Sequence, residues 1–269
     1  MSKLSKLIKA TSLLLRKPYL INKIIDDNEV WMKEVEQAYG INGFQEIKLK
    51  DLNPKGEMQV KPFAFLEGGS LPTDLALLRI LALRYEKCKY FEIGTWRGES
   101  VANVAEVAEE CTSMNLSEEE MTEIGLDPLY IDQHAMFSEE LNNVTHLKEN
   151  SLDFDFNSMN RRFDLIFIDG DHHFDSICKD SSNIFKHLVH ENSIVVWHDY
   201  AWQPGHIRYE TMAAILKGVP EEFHKNLYAV RNTLCAIYFP GAVKSYMPSP
   251  VAIREEAFEI NLNTIRDNE

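Results

Sequence analysis

Three short stretches of the chain hold side chains that could do chemistry together. Phe91-Glu92-Ile93-Gly94-Thr95-Trp96-Arg97-Gly98-Glu99-Ser100 places two carboxylates, two glycines and two hydroxyls around a single turn. Ile168-Asp169-Gly170-Asp171-His172-His173 sets two acids and two histidines within five residues. Trp197-His198-Asp199-Tyr200 is the third. Gly94 lets the backbone turn sharply and lets a ligand come close. Glu92 stands at a strand end, where a buried charge is costly without a partner, and so implies a cationic or hydroxyl-bearing ligand nearby. The acids and histidines offer metal ligands and a general base. Taken singly, each cluster reads equally well as a solvated or capping polar turn. Their coincidence at neighbouring strand ends points to one functional site. Adjacent parallel strands lie about 5 Å apart, so Asp169, His198 and Asp199 could converge on one ion. His172 is of the residue type that suits removal of a proton from a hydroxyl.

The elements that must position these groups alternate. Apolar runs at 89–93, 111–116, 144–148, 163–169 and 193–197 read as strands. Helical spacing over 71–84, 99–110, 176–188 and 208–217 reads as the helices between and around them. This alternation means βαβ units and a parallel sheet. Runs at 227–230 and 234–239 are close enough to form an antiparallel hairpin. The expected fold is α/β and Rossmann-like. It has a seven-stranded, mostly parallel sheet with an antiparallel C-terminal hairpin strand, helices on both faces and an N-terminal helical extension. In open sheets of this kind ligands bind at the carboxyl ends of the strands, which is where all three stretches fall. The glycine spacing argues against a dinucleotide site. Of the pattern G-x-G-x-x-G only the first position is met, by Gly94, with Trp96 and Glu99 at the others. Trp96 would crowd a pyrophosphate.

Glu92-x-Gly94-x-x-x-Gly98-x-Ser100 resembles the first motif of class I S-adenosylmethionine (SAM)-dependent methyltransferases. The resemblance covers about residues 65–240, and is to O-methyltransferases of the catechol and caffeoyl-CoA type and their macrolide-sugar relatives. It implies that Glu92 and the turn of Gly94, Thr95, Gly98 and Ser100 hold the methionine part of SAM. Asn115 would meet the ribose, in a place where the family usually has an acid. Asn150 and Ser151 match the adenine contact. Asp169, which belongs to both the cofactor set and the metal set, and Asp199 match two ligands of a Mg or other divalent cation. Tyr200 and His198 are the candidates for the third. His172 stands where the catechol type has a lysine base. The implied reaction is O-methylation of a hydroxyl on a small molecule or sugar, assisted by the cation.

Bulk properties bound the reading further. The 269 residues suit one large domain with extensions, drawn here as an N-terminal helical extension over 1–60, the SAM-binding domain over 61–240 and a tail over 241–269. A net charge of −14 speaks against nucleic acid as a partner. Four cysteines without CxxC spacing and no 18-residue apolar run suit a cytoplasmic protein with reduced thiols. The first 25 residues carry Lys3, Lys6, Lys9, Arg16, Lys17 and Lys23 and no acid, with Leu4, Leu7, Ile8, Thr11, Leu14 and Leu15 on one helical face. That pattern fits a helix on an anionic membrane or lipid-linked substrate, or one packed on its own domain or on a second subunit of a homodimer. A second helix over 28–40 is expected to end at Gly40, and Pro54, Gly56, Pro62, Gly68 and Gly69 break up 41–70. Three other functions stay open on sequence: an NAD-dependent oxidoreductase, a metal-dependent hydrolase, and a SAM-fold subunit without catalysis.

Overall fold

The computed structural model describes residues 2–17, 27–53, 56–66, 68–248 and 256–265. Lys23 of the basic segment and the breaker Pro54 lie outside the described residues, as do 249–255 and 266–269 of the tail.

The sheet begins in its own middle. Strand β2 (Lys89–Ile93) pairs in parallel with β3 (Glu110–Asn115), which pairs with β4 (Val144–Lys148). The chain then crosses back to lay β5 (Leu165–Ile168) on the other side of β2, followed by β6 (Ile194–Trp197), again parallel. A hairpin of β9 (Leu227–Val230) and β10 (Ala236–Tyr238) closes this side, with β10 antiparallel to β6. One further strand, β1 (Gln45–Ile47), joins parallel to β9, giving eight strands in the order β1-β9-β10-β6-β5-β2-β3-β4. The point where the strand order reverses lies between β2 and β5, so the ligand crevice of such a sheet falls there. Strands β7 (Ala201–Gln203) and β8 (His206–Ile207) form a separate small ribbon.

The residues of β5 and β6 are all apolar because both faces of the sheet are covered. Ile166, Ile168, Val195 and Trp197 pack on one side with Ile177 and Ile184 of α8 (Phe174–His187) and Met212 and Ile215 of α9 (Tyr209–Gly218). Leu165, Phe167, Ile194 and Val196 pack on the other with Leu77 and Leu81 of α4 (Pro72–Ala82) and Val101 and Val104 of α5 (Glu99–Ala105). The period of two along each strand thus sorts neighbouring side chains into two cores.

The N-terminal helices are α1 (Lys3–Arg16) and α2 (Asn28–Tyr39), the latter closed by Gly40 in the left-handed conformation. Helix α2 adds Val35 to the α8–α9 core. The structure departs from the sequence expectation in length and number. There are eight strands in the main sheet, because polar Gln45 and Glu46 hide a strand held by pairing to β9. Helix α5 ends at Ala105, not 110, and Asn143 Nδ2 caps the carbonyls of Ala105 (2.9 Å) and Ala108 (3.3 Å). Short helices α3 (Leu49–Leu52), α6 (Glu118–Glu123) and α7 (Pro128–Asp132) complete the described helices. Among the described residues no helix is long and apolar enough to cross a membrane.

Candidate active site

The turn after β2 is tied to both neighbouring strands. Gly94 N–H donates to the Met114 carbonyl (2.9 Å), and Asp169 N–H donates to the Ile93 carbonyl (2.8 Å). Gly94 has φ +95°, and a Cβ there would lie 2.0 Å from the Asp169 carbonyl oxygen. The glycine is therefore required by the contact between two strand-end turns, before any ligand is considered. Gly98, at φ +80°, is required by Ser138, whose Oγ would be 2.1 Å from a Cβ. Between them Trp96 is itself left-handed, at φ +45°.

Glu92 does not reach the cavity. It is fully buried, and its carboxylate accepts from Tyr90 Oη (2.7 Å) and Ser113 Oγ (2.7 Å). Burial pushes its pKa up to about 7, against the pull of these hydroxyls. The hydroxyl-bearing partner expected from sequence is thus the protein. Ser113 Oγ also bonds Thr95 Oγ1 (2.6 Å), so Glu92 braces the turn from behind instead of contacting a ligand.

In front of the turn lies a cavity of about 240 Å³, lined among others by Thr95, Trp96, Ser100, Asp169, His172 and Asp199. Part of its lining comes from Gly68, Gly69 and Ser70, whose place was not legible in sequence. Ala64 N–H donates to Glu99 Oε1 (2.7 Å) and Lys61 N–H to Asn103 Oδ1 (2.6 Å). Glu99 also pairs with the buried Arg97 (3.0 Å).

His198 sits in a chain of carboxylates. Its Nε2 is 3.2 Å from Asp74 Oδ2; its Nδ1 is 3.2 Å from Asp169 Oδ1 and 3.7 Å from Asp199 Oδ1. Burial favours the neutral ring, but the three carboxylates outweigh it and hold the pKa well above the usual histidine value. The charged ring in turn takes Asp199 down to about 2, although burial alone would raise it. His198 thus bridges Asp74 to the two aspartates, and with Asp74 and Cys235 it forms one group of potential ligand atoms within 4.8 Å of one another. His172 reaches the aspartates as well, with its Nδ1 3.1 Å from Asp199 Oδ2. One ligand atom each from Asp169, His172 and Asp199 lie within 4.8 Å of one another. Asp199 holds its position with φ +54°, a strained backbone for a non-glycine residue at the tip of β6.

Asp74 is a functional residue that sequence reading missed. It is fully buried and does three things at once. It caps α4 through Leu71 N–H (2.7 Å), bonds His198, and accepts from Leu234 N–H (2.8 Å) in the turn between β9 and β10. The signal was local, since Leu71-Pro72-Thr73-Asp74 has an acid at the third helical position.

The remaining expected residues divide. Asn115 ends β3 beside the turn, with Thr95 N–H directed at its Oδ1 (3.4 Å). Ser151 bonds Asp180, a buried carboxylate whose pKa burial raises to about 6. Tyr200, the other third-ligand candidate, turns away. It stacks on Phe44 at 5.2 Å and accepts from Phe44 N–H (3.1 Å), so it is no ligand here. Asp171 and His173 bond each other (2.6 Å), and Ser176 Oγ donates to Asp171 (2.7 Å), a polar cap at the start of α8. Of the aromatic residues near these stretches, Trp96 lines the cavity. Trp197 is core, with Nε1 donating to Ser181 Oγ (2.9 Å), and Phe174 stacks on Trp31 at 5.0 Å. Trp202 faces a second cavity of about 570 Å³, beyond the turn of residues 231–235.

The matched family model covers the three strand-end stretches of this site. Residues 91–200 match the family described as a methyltransferase domain, from β2 to the residue after Asp199. No curated protein matches the sequence. The fold is similar to several solved structures. A SAH-bound methyltransferase of Podospora anserina is 16% identical, with TM-score 0.46 over 66% of this chain and 82% of that one. A SAM-bound amino pentose methyltransferase of Micromonospora echinaspora, involved in calicheamicin biosynthesis, is 14% identical, with TM-score 0.35 over 50% of this chain and 51% of that one. A sugar N-methyltransferase of Streptoalloteichus is 16% identical, with TM-score 0.34 over 56% of this chain and 62% of that one. The chain thus spans about half the length of some of these relatives, such as the 51% of the amino pentose enzyme.

Proposed function

We propose that the methyltransferase domain transfers the methyl group of SAM to a hydroxyl oxygen of a small molecule or sugar. The observation that carries this reading is the meeting of the glycine turn with Asp169, His172 and Asp199 around one cavity at the reversal point of the sheet.

The lining fits a cationic cofactor better than a phosphate-bearing one. Asp169 and Asp199 set two carboxylates on the cavity lining against the single charged ring of His198, which favours a sulfonium over a pyrophosphate. Thr95 and Ser100 offer hydroxyls for the methionine end, Asn115 an amide for ribose hydroxyls, and Ser151 a polar contact for adenine. Gly94 and Gly98 shape the turn, and Glu92 keeps it in place from behind.

His172 is the proposed base. Its Nδ1 faces Asp199, which leaves Nε2 to accept the acceptor's proton and fixes the ring for that task. Asp169 and Asp199, held by His198, orient the hydroxyl in line with the methyl group. A second reading rests on the same three residues. Two carboxylates and an imidazole within 4.8 Å suit a divalent cation, which when bound would lower the acceptor's pKa as a Lewis acid.

Transfer of labelled methyl from SAM to phenolic and sugar hydroxyls, with EDTA and with Mg or Mn, tests both. Labelled product insensitive to EDTA supports His172 alone, and dependence on the cation supports the metal. Label on amine acceptors only would contradict O-methylation.

A further inference from the structure

Helix α1 has no residue buried against the rest of the described chain. Its ends are nonetheless satisfied. Ser2 accepts from Ser5 N–H at the start (3.2 Å), and Lys17 N–H donates to the Leu13 carbonyl at the end (2.8 Å). A 14-residue helix without packing is marginal in water, so its stability has to come from a surface that covers it. Leu4, Leu7, Ile8 and Leu15 are 67%, 63%, 61% and 79% exposed and lie on one face with Thr11 and the half-buried Leu14. Lys6, Lys9, Arg16 and Lys17 occupy the other face together with Leu13, and Lys3 lies at its border. No acid interrupts residues 2–17, although the whole chain carries a net charge of −14. The acidic excess therefore lies entirely outside this helix.

A partner for this face must be apolar at its centre and anionic around it. We propose that α1 lies in the interface of an anionic lipid bilayer, with its leucine face in the acyl region and its lysines among the headgroups. Fourteen residues are too few to span the apolar core, which takes about 20. The helix therefore lies in the membrane plane and holds the catalytic domain at the surface.

Flotation of the full chain with vesicles of phosphatidylcholine alone, or mixed equally with phosphatidylserine, tests this. The expected result is capture by the mixed vesicles only, weakened by salt. Each lysine near such a surface contributes about a factor of five. Lys6→Glu with Lys9→Glu should therefore lower the partition coefficient by well over about tenfold, and Leu7→Asp with Ile8→Asp should abolish capture. None of these positions is buried, so the variants keep the fold, and unchanged circular dichroism and SAH affinity would verify that. Three results would overturn the proposal. They are no capture by phosphatidylserine vesicles, capture indifferent to both pairs of substitutions, or a concentration-dependent dimer dissolved by Leu7→Asp/Ile8→Asp in a protein that vesicles leave in solution.

Discussion

Gly94 and Gly40 share a left-handed backbone but not the reason for it. At Gly40, φ is +69° and nothing lies within 4 Å of the position a Cβ would take. At Gly94 that Cβ would strike the main chain of Asp169, which cannot step aside. Gly40→Ala should therefore cost only the strain of a left-handed residue, about 1 kcal/mol. Gly94→Ala should cost about 4 kcal/mol or more and separate the turn from Asp169, which urea unfolding of the two variants would measure. His172 and Glu92 make a second pair. His172→Ala should leave SAH affinity unchanged and lower methyl transfer by about 10²-fold or more; full turnover would remove His172 from the role of base. Glu92 ionises against its burial. With its pKa raised from 4.5 to about 7, the contribution of its protonated form is complete below 4.5 and is lost as pH rises through about 7. Glu92→Gln should remove that part of the decline in Tm, and a wild-type slope retained in the variant would assign it to another group.

Elements were legible where their own residues determine them. Runs such as 144–148 and 227–230 stand as strands because β-branched and aromatic residues there are bounded by polar turns, and the hairpin followed from the short gap between 227–230 and 234–239. Strand β1 was hidden because its stability comes from β9, far along the chain, and not from an apolar pattern of its own. Helix α6 carried a readable capping box, Ser117 with Glu120, but its first turn of three glutamates gives little apolar periodicity. The candidate site was legible to the same degree. The three strand-end clusters could be placed at one sheet edge from their order alone. How His198 is held could not be read, because one of its partners is Asp74, 124 residues before it. The link from Asp74 through His198 to Asp169 and Asp199 makes α4 and the β9–β10 turn part of the site. Asp74→Ala leaves the Leu234 N–H unpaired and removes a carboxylate from a buried charged ring, and should cost about 3–5 kcal/mol. Asp74→Asn keeps the cap and should cost less. Equal stability of the two variants would show that the cap and the Leu234 hydrogen bond add nothing and that the whole cost is the charge lost beside His198.

At the scale of the molecule, two surfaces of opposite character serve one reading. The sheet sets a carboxylate-lined cavity at its reversal point, and the chain begins with a basic helix whose apolar face is uncovered. The carboxylates on the cavity lining favour a sulfonium over a dinucleotide, because a pyrophosphate would face Asp169 and Asp199, and the cation of the glycine turn, Arg97, is buried and paired with Glu99. Calorimetric titration of the full chain with SAH, with NAD as the comparison ligand, therefore addresses the central claim most directly. Saturable micromolar binding of SAH with none of NAD is the expected result. Absence of SAH binding by a folded protein would contradict a SAM-dependent methyltransferase, and the Asp169, His172 and Asp199 cluster would then have to be assayed as a hydrolytic centre.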